Sequence, residues 1–209
     1  LSQTQISSLT ADQLEMLSAS QVGSLTATHL NSLSATQLAS LSTTQIQGLA
    51  SSKIPALSTT LLASLPQTLL AALTTTEMAA LTSTQVANLA PTQLAALSTQ
   101  QMAAISTTAI TALTSTEVAS LSTRQISALT SSQMAALTPA QLASLTATQI
   151  TALTGAEISA LTGNQTASLS TTQLQAFSTT QLQALSTTAI TGLTATQLQA
   201  MDNNLLGMF

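Results

Sequence analysis

The side chains that could take part in acid–base or metal chemistry are few in this sequence, and they lie far apart. Serine and threonine hydroxyls are abundant, but a nucleophile needs a base beside it, and the only imidazole belongs to His29. Metal sites need clustered histidine, cysteine or carboxylate ligands. The chain has no cysteine, and its six acidic residues do not cluster. We therefore expect no catalytic, cofactor-binding or metal-ligating residue and no enzyme, and we interpret His29 as a helix-capping or surface side chain.

Charge and hydrophobicity narrow the classes of partner. Lys53 and Arg124 are the only basic residues, and the net charge is −4, whereas a nucleic-acid-binding protein needs a basic face. The longest apolar runs have five residues, as in residues 69–73, and a membrane-spanning helix needs about 20. Hydrophobic residues make up 44% of the chain, too many for a disordered tract. We expect a folded chain without nucleic-acid partner, membrane insertion or small-molecule substrate. We interpret both basic residues as sequence drift of the repeat on a solvated face.

An eight-residue repeat organises the chain from residue 1 to residue 208. Twenty-six first positions carry Leu 23 times, and the sixth position is Ile, Leu, Val or Met in every repeat except at Thr166. The second position is Ser or Thr in 22 repeats, and the fifth is Gln in 16 and Glu in three. Phe177 replaces a first-position Leu, and we interpret it as a core side chain. We expect one continuous array, 1–209, with a degenerate stretch at 50–72 and a divergent C-terminal unit at 201–209.

The repeat length disfavours a continuous helix. Eight residues overshoot two helical turns by about 80°, so the leucines would spiral around the axis. In a strand, the two apolar positions would point to opposite faces, and the Gly and Asn residues that tight β-solenoid turns use are scarce. A β-solenoid remains the alternative architecture. The motif Ser/Thr-x-x-Gln is instead a capping box, and the first- and sixth-position residues form its hydrophobic staple, as in Leu1 with Ile6 and Leu41 with Ile46.

Two further observations agree with a short helix in every repeat. Pro91 and Pro139 fall at the first helical position, where proline is tolerated. Five of the six acids fall where the helix dipole favours them, and these are Asp12, Glu77, Glu117 and Glu157 in first turns and Asp202 at a cap. Because such short helices are unstable alone, the repeats must pack together. The sequence predicts an all-α solenoid with first and sixth positions buried and second- and third-position hydroxyls exposed or bonded to backbone.

A second, weaker period of 40 residues is superimposed on the eight-residue repeat, whose units we call octads. Glu77, Glu117 and Glu157 share this spacing, which equals five repeats. One interpretation is five repeats per superhelical turn, and the other is tandem duplication of a 40-residue block; the sequence favours neither. We interpret the three glutamates as helix-start acids rather than as a cation ladder.

The octads LSTTQIQG (41–48) and LTATQLQA (193–200) resemble the Leu-Thr-x-x-Gln repeats of very large bacterial secreted or cell-surface proteins, which are described as adhesin-like or heme-utilisation-like. The resemblance covers essentially the whole chain through residue 200. It implies an extracellular location and a structural or adhesive part, and it carries no known site residues. Since the chain starts in register at Leu1 without Met, we expect a processed or excised piece.

Two functions fit these observations. The first is a structural solenoid, an extracellular filament or stalk subunit that works by self-association, because low charge opposes association only weakly. The second is an adhesive, ice-binding or glycan-binding surface built from rows of serine and threonine.

Overall fold

The computed structural model describes residues 2–200 and divides the chain into two compact units, Leu1–Ala112 and Leu113–Phe209. The described residues form 24 α-helices and one 3₁₀ helix, each four to six residues long, and no strand. The predicted all-α class is confirmed, and the β-solenoid alternative is excluded for this part of the chain. Leu1 and the unit at 201–209, with the predicted cap at Asp202, lie outside the described residues.

The helices of the first unit are α1 (Gln3–Ser7), α2 (Ala11–Glu15), α3 (Ala19–Ser24), α4 (Ala27–Asn31), α5 (Ala35–Ala39), α6 (Thr43–Gln47), the 3₁₀ helix η1 (Ser51–Ala56), α7 (Thr59–Ser64), α8 (Gln67–Leu70), α9 (Thr75–Ala79), α10 (Ser83–Val86), α11 (Pro91–Ala95), α12 (Thr99–Ala104) and α13 (Thr107–Ile110).

The helices of the second unit are α14 (Ser115–Ser120), α15 (Thr123–Ile126), α16 (Ser131–Ala136), α17 (Pro139–Ala143), α18 (Ala147–Thr151), α19 (Gly155–Ser159), α20 (Gly163–Ala167), α21 (Thr171–Gln175), α22 (Thr179–Gln183), α23 (Thr187–Thr191) and α24 (Ala195–Ala200).

A capping box starts most of these helices, as the repeat predicts. In α6, the Ser42 hydroxyl accepts a hydrogen bond from the Gln45 backbone N–H at 3.2 Å, and Gln45 Oε1 accepts one from the Ser42 N–H at 2.7 Å. Nearly all of the described cap residues have extended backbone angles, as at Ser42, and this extended residue separates each of these helices from the one before it. Pro91 and Pro139 occupy first helical positions, and the first-turn placement of the four acids predicted there is confirmed.

Within each unit, helices stack on the helix three repeats further along the chain. Helix α3 packs against α6 in the first unit, and α20 packs against α23 in the second. The suggested turn of five repeats is therefore wrong for both units. A five-sided turn would enclose a centre too wide for two apolar side chains per repeat to fill, and close-packed interiors avoid such voids. The 40-residue spacing does not reflect stacking, and the duplication interpretation stays a prediction.

The first- and sixth-position side chains form the core, as predicted. They are buried at nearly every described repeat, and Phe177 occupies its first position as a buried leucine substitute. Four of them are only half-buried, namely Leu9, Leu17, Ile190 and Leu198. Thr166 is fully buried at its apolar position because its hydroxyl donates to the Ala189 carbonyl at 2.7 Å. The second-position hydroxyl residues are mostly exposed, which confirms the predicted polar exterior.

Candidate functional site: the glutamine ladder

Most of the described fifth-position side chains are buried, which the repeat pattern did not predict. The capping box requires only that these residues reach their own cap, a bond that can form at the surface. Fifteen fifth-position Gln and Glu side chains are nevertheless buried, and these are Gln37, Gln45, Glu77, Gln85, Gln93, Gln101, Gln125, Gln133, Gln141, Gln149, Glu157, Gln165, Gln173, Gln181 and Gln197.

Gln45 shows why burial is possible. Its Oε1 caps its own helix, and its Nε2 donates to the carbonyl oxygens of Leu14 at 2.8 Å and Leu17 at 2.7 Å. These acceptors lie 31 and 28 residues earlier, in the preceding turn of repeats. One side-chain amide therefore satisfies a helix start and joins two turns, so its donors and its acceptor are all paired inside the protein.

The same register recurs in both units. Gln85 donates to carbonyls 31 and 28 residues earlier at 2.7 Å each, and Gln165 does so at 2.8 and 2.7 Å. We call this set of turn-to-turn bonds the glutamine ladder. Because buried polar groups without partners are costly, each such glutamine also stabilises the helix end, where it pairs one backbone carbonyl and adds a second donor to another, as at the Leu14 carbonyl. The sequence held one signal of it: Gln outnumbers Glu 16 to three at a position where either caps a helix, so a donor is required there.

In the first three repeats, the fifth-position glutamines cap their own helices at the protein surface. Gln5, Gln13 and Gln21 form capping boxes and are exposed. Gln37 donates to the Leu9 carbonyl at 2.7 Å, so it belongs to the glutamine ladder. His29 accepts from the Thr26 N–H through Nδ1 at 3.4 Å, and its predicted role as a cap is confirmed.

In the degenerate stretch at 50–72, the helices still stack on the preceding turn, but other side chains replace the fifth-position glutamines. The Lys53 ammonium donates to the Gly23 carbonyl, 30 residues earlier, so Lys53 takes a ladder position and its interpretation as surface drift is wrong. The other basic side chain, Arg124, is exposed as predicted. Leu61 and Leu69 replace the amide with buried apolar side chains.

An asparagine adds a polar brace beside this stretch. Asn31 Nδ2 donates to the Ala56 carbonyl at 2.9 Å, and its Oδ1 accepts from the Ser58 N–H at 2.8 Å. Both partners flank the end of η1, so a side chain from α4 fixes the 3₁₀ helix three repeats later. The amide of Asn31 thus adds a further side-chain link between turns in the degenerate stretch.

Glycine allows two pairs of helices to approach closely. A Cβ atom at Gly192 would lie 2.2 Å from the Gly163 carbonyl oxygen, and one at Gly23 would lie 2.2 Å from the Gly48 carbonyl oxygen. No side chain fits at these distances. The contacts α3 with α6 and α20 with α23 therefore depend on glycine.

Two buried glutamates interrupt the ladder. In Glu77 and Glu157, Oε2 accepts from the cap N–H at 2.6 Å, while Oε1 is buried without a hydrogen-bond partner. Burial raises the pKa of the Glu157 carboxyl, and its hydrogen bonds with Thr154 partly oppose that rise. Both residues are helix-start acids, as the sequence analysis favoured.

The described residues offer little for ligand chemistry. Residues 2–200 contain no group of three His, Cys, Asp or Glu side chains placed to hold a metal ion. A core cavity of about 20 Å³ in the first unit is lined only by apolar residues, including Leu30, Ile46 and Leu62, so it is too small for any ligand and too apolar for a water molecule. Within this same part of the chain, every helix is too short to cross a bilayer.

Comparison with known proteins supports a repeat protein. The family model of the ALTTAQ repeat matches residues 102–139, a segment that includes full octads of the consensus described above. No curated protein matches the chain significantly.

Proposed function

We propose that this chain is a structural spacer, a stalk or filament segment of an extracellular protein, and that it performs no catalysis. The observation that carries the proposal is the glutamine ladder. Within each unit, the same side-chain hydrogen bonds join one turn to the preceding one, so an array can lengthen by whole repeats without a new kind of contact. Repeat stability of this kind is a sum of local terms and neighbour interfaces, which suits a protein whose task is to hold other parts at a distance.

The exterior supports an inert spacer more than a laterally bundled fibre. Among the described residues, Met16 is the one large apolar side chain that is strongly exposed, at 85%. The rest of the surface is dominated by small and neutral polar side chains, so lateral association would lack an apolar patch to drive it. Low net charge permits self-association but does not supply its attraction.

A binding surface is the second candidate, and one observation favours it. Threonine hydroxyls recur on the exterior at eight-residue intervals, as at Thr172, Thr180 and Thr188, all of which are exposed. Regularly spaced hydroxyls could match a repetitive ligand such as ice or a glycan. These threonine rows are weaker evidence than the glutamine ladder, because any soluble solenoid also needs exposed polar side chains such as threonine.

Deletion in register tests the spacer proposal. Removing residues 121–144, three whole repeats, should leave a folded chain whose particles are shorter in electron micrographs and sediment as a smaller species. Removing residues 121–124 is the matched control, because half a repeat moves the apolar positions out of register and should unfold the neighbouring helices.

Three results would count against the proposal. A chain that unfolds after the in-register deletion would show that the repeats are not interchangeable spacers. Thermal hysteresis in ice growth, or saturable binding on a glycan array at micromolar protein, would favour the binding surface instead. Lateral fibres in micrographs of the intact chain would show that its exterior self-associates and is not that of an inert spacer.

A further inference from the structure

We call each fifth position of the glutamine ladder a rung. Glu157 occupies one rung with a carboxyl group where the ladder has an amide. The side chain is only 2% exposed, and Oε2 performs the capping function by accepting from the Thr154 N–H at 2.6 Å. The second oxygen, Oε1, is buried and has no hydrogen-bond partner. It takes the position that an Nε2 donor occupies in a glutamine rung.

The neighbouring rungs identify what faces this oxygen. Gln149 and Gln165, one repeat before and after, both donate to the carbonyls 31 and 28 residues earlier, at distances between 2.7 and 3.2 Å. The same register places the carbonyl oxygens of Ile126 and Leu129 opposite Glu157. Helix α19, which carries Glu157, packs against α16, whose repeat begins at Leu129.

A proton fits between Glu157 Oε1 and the facing carbonyl oxygens, whereas a bare negative charge or a metal ion does not. An ionised carboxylate oxygen would face two carbonyl oxygens with no donor between them, which leaves a buried charge uncompensated. The spacing set by the glutamine rungs is that of a direct hydrogen bond, so a metal ion would have to push the turns apart. A protonated carboxyl would donate one hydrogen bond to these carbonyls, half of what a glutamine amide provides.

Burial and the hydrogen bonds with Thr154, and no charged side chain, shift the pKa of the Glu157 carboxyl. Neither α16 nor α22, the helices packed against α19, carries one. The other ionisable residues in the described part of this unit are Glu117, which is half-buried on α14, and Arg124 on α15, the helix that ends at the facing Ile126; the Arg124 side chain is exposed.

We propose that Glu157 is a pH-dependent joint of the solenoid, which binds α19 to the preceding turn through its protonated carboxyl and loosens that contact when it ionises. Burial raises the pKa of this carboxyl above its ordinary value of 4.5, which supports the proposal. Since the folded protein holds the proton more tightly than the unfolded chain, the stabilisation is fully present below pH 4.5 and is lost as pH rises through the raised folded value.

The intact chain allows a direct test because it contains only four glutamates. With glutamate labelled at the side-chain carboxyl carbon, ¹³C NMR resolves each titration, and Glu157 is assigned as the resonance missing from Glu157→Gln. We expect this resonance to titrate above pH 4.5. In parallel, the denaturant midpoint of the wild type should fall between pH 4.5 and 8, and Glu157→Gln should remove part of that fall and raise the midpoint at pH 8.

Two control variants make the test specific. Glu15→Gln removes the same charge from an exposed site and should leave the slope of the midpoint against pH unchanged. Gln165→Glu installs the same group at a working rung and should steepen that slope. A Glu157 resonance that titrates at or below pH 4.5 would overturn the proposal, as would a Glu157→Gln midpoint that follows the wild-type slope.

Discussion

Gln165 donates from Nε2 to the carbonyl oxygen of Leu137, 2.7 Å away and 28 residues earlier in the chain, while its Oε1 accepts from the N–H of its own cap residue, Thr162, at 2.8 Å. A single amide thereby defines both a local helix start and a long-range contact. Local and non-local order use the same side chain at nearly every described rung, so the repeat specifies its stacking together with its helices.

Removing a rung should cost more than removing a cap. We expect Gln165→Met to lower the free energy of unfolding by about 1–3 kcal/mol, because the buried Leu137 carbonyl loses its Nε2 donor and the Met134 carbonyl keeps only the Leu137 N–H, at 3.3 Å. Gln21→Met is the matched control: Gln21 Oε1 makes the same cap bond, at 2.8 Å, but the side chain is exposed. Its cost should stay near that of a lost exposed hydrogen bond, about 0.5–1 kcal/mol. Equal losses for the two variants in urea titrations would mean that the ladder adds no stability.

Completing an interrupted rung should stabilise the first unit. Glu77→Gln places an amide donor where Oε1 now has no partner, so at pH 7 we expect a gain of about 1–3 kcal/mol. Glu15→Gln, at an exposed position, should change stability by less than about 0.5 kcal/mol. The measurement is chemical denaturation followed by circular dichroism. A destabilised Glu77→Gln would show that the site requires the carboxylate.

The close glycine contact predicts opposite outcomes for two glycines of the second unit. Gly192→Ala would place a methyl group 2.2 Å from the Gly163 carbonyl oxygen, and such overpacking costs about 1–3 kcal/mol. At Gly155 the nearest atom to an added methyl group is the Ala184 Cβ at 3.6 Å, an ordinary contact. Gly155→Ala should therefore be neutral or stabilise by about 0.4–1 kcal/mol through reduced unfolded-state entropy. Thermal unfolding of both variants separates the effects, and similar melting temperatures would contradict the predicted close approach.

The sequence predicted the local structure well because each helix is specified inside its own octad. The capping box of Ser42 and Gln45, the proline at position 91 and the buried pair of Leu41 and Ile46 need no information from other repeats. The stacking register could not be predicted in the same way. It depends on what the Gln45 Nε2 contacts 28 and 31 residues away, and a periodic pattern is compatible with any whole number of repeats per turn.

The candidate site was hidden for the same reason. A glutamine that caps a helix looks complete in sequence, so its second hydrogen-bonding group attracts no attention. Lys53 looked like surface drift because lysine is usually solvated, yet its ammonium reaches the Gly23 carbonyl across a turn. In both cases, the missing information was the location of backbone carbonyls at the ends of earlier helices that can accept a side-chain hydrogen bond.

The core positions should carry the largest single-residue effects. Leu121 is 5% exposed at a first position, and its carbonyl accepts from Gln149 at 2.7 Å. Leu121→Ala should lower the free energy of unfolding by about 2–5 kcal/mol, because the cavity it leaves lies among helices already fixed by the ladder and can close only partly. Met16→Ala removes a side chain of similar volume that is 85% exposed, and its effect should stay within about 0.5 kcal/mol. Equilibrium denaturation measures both changes, and hydrogen exchange of the Gln149 backbone amide shows whether the loss reaches the next turn. A Leu121→Ala variant as stable as Met16→Ala would mean that the first-position leucines do not form a packed core.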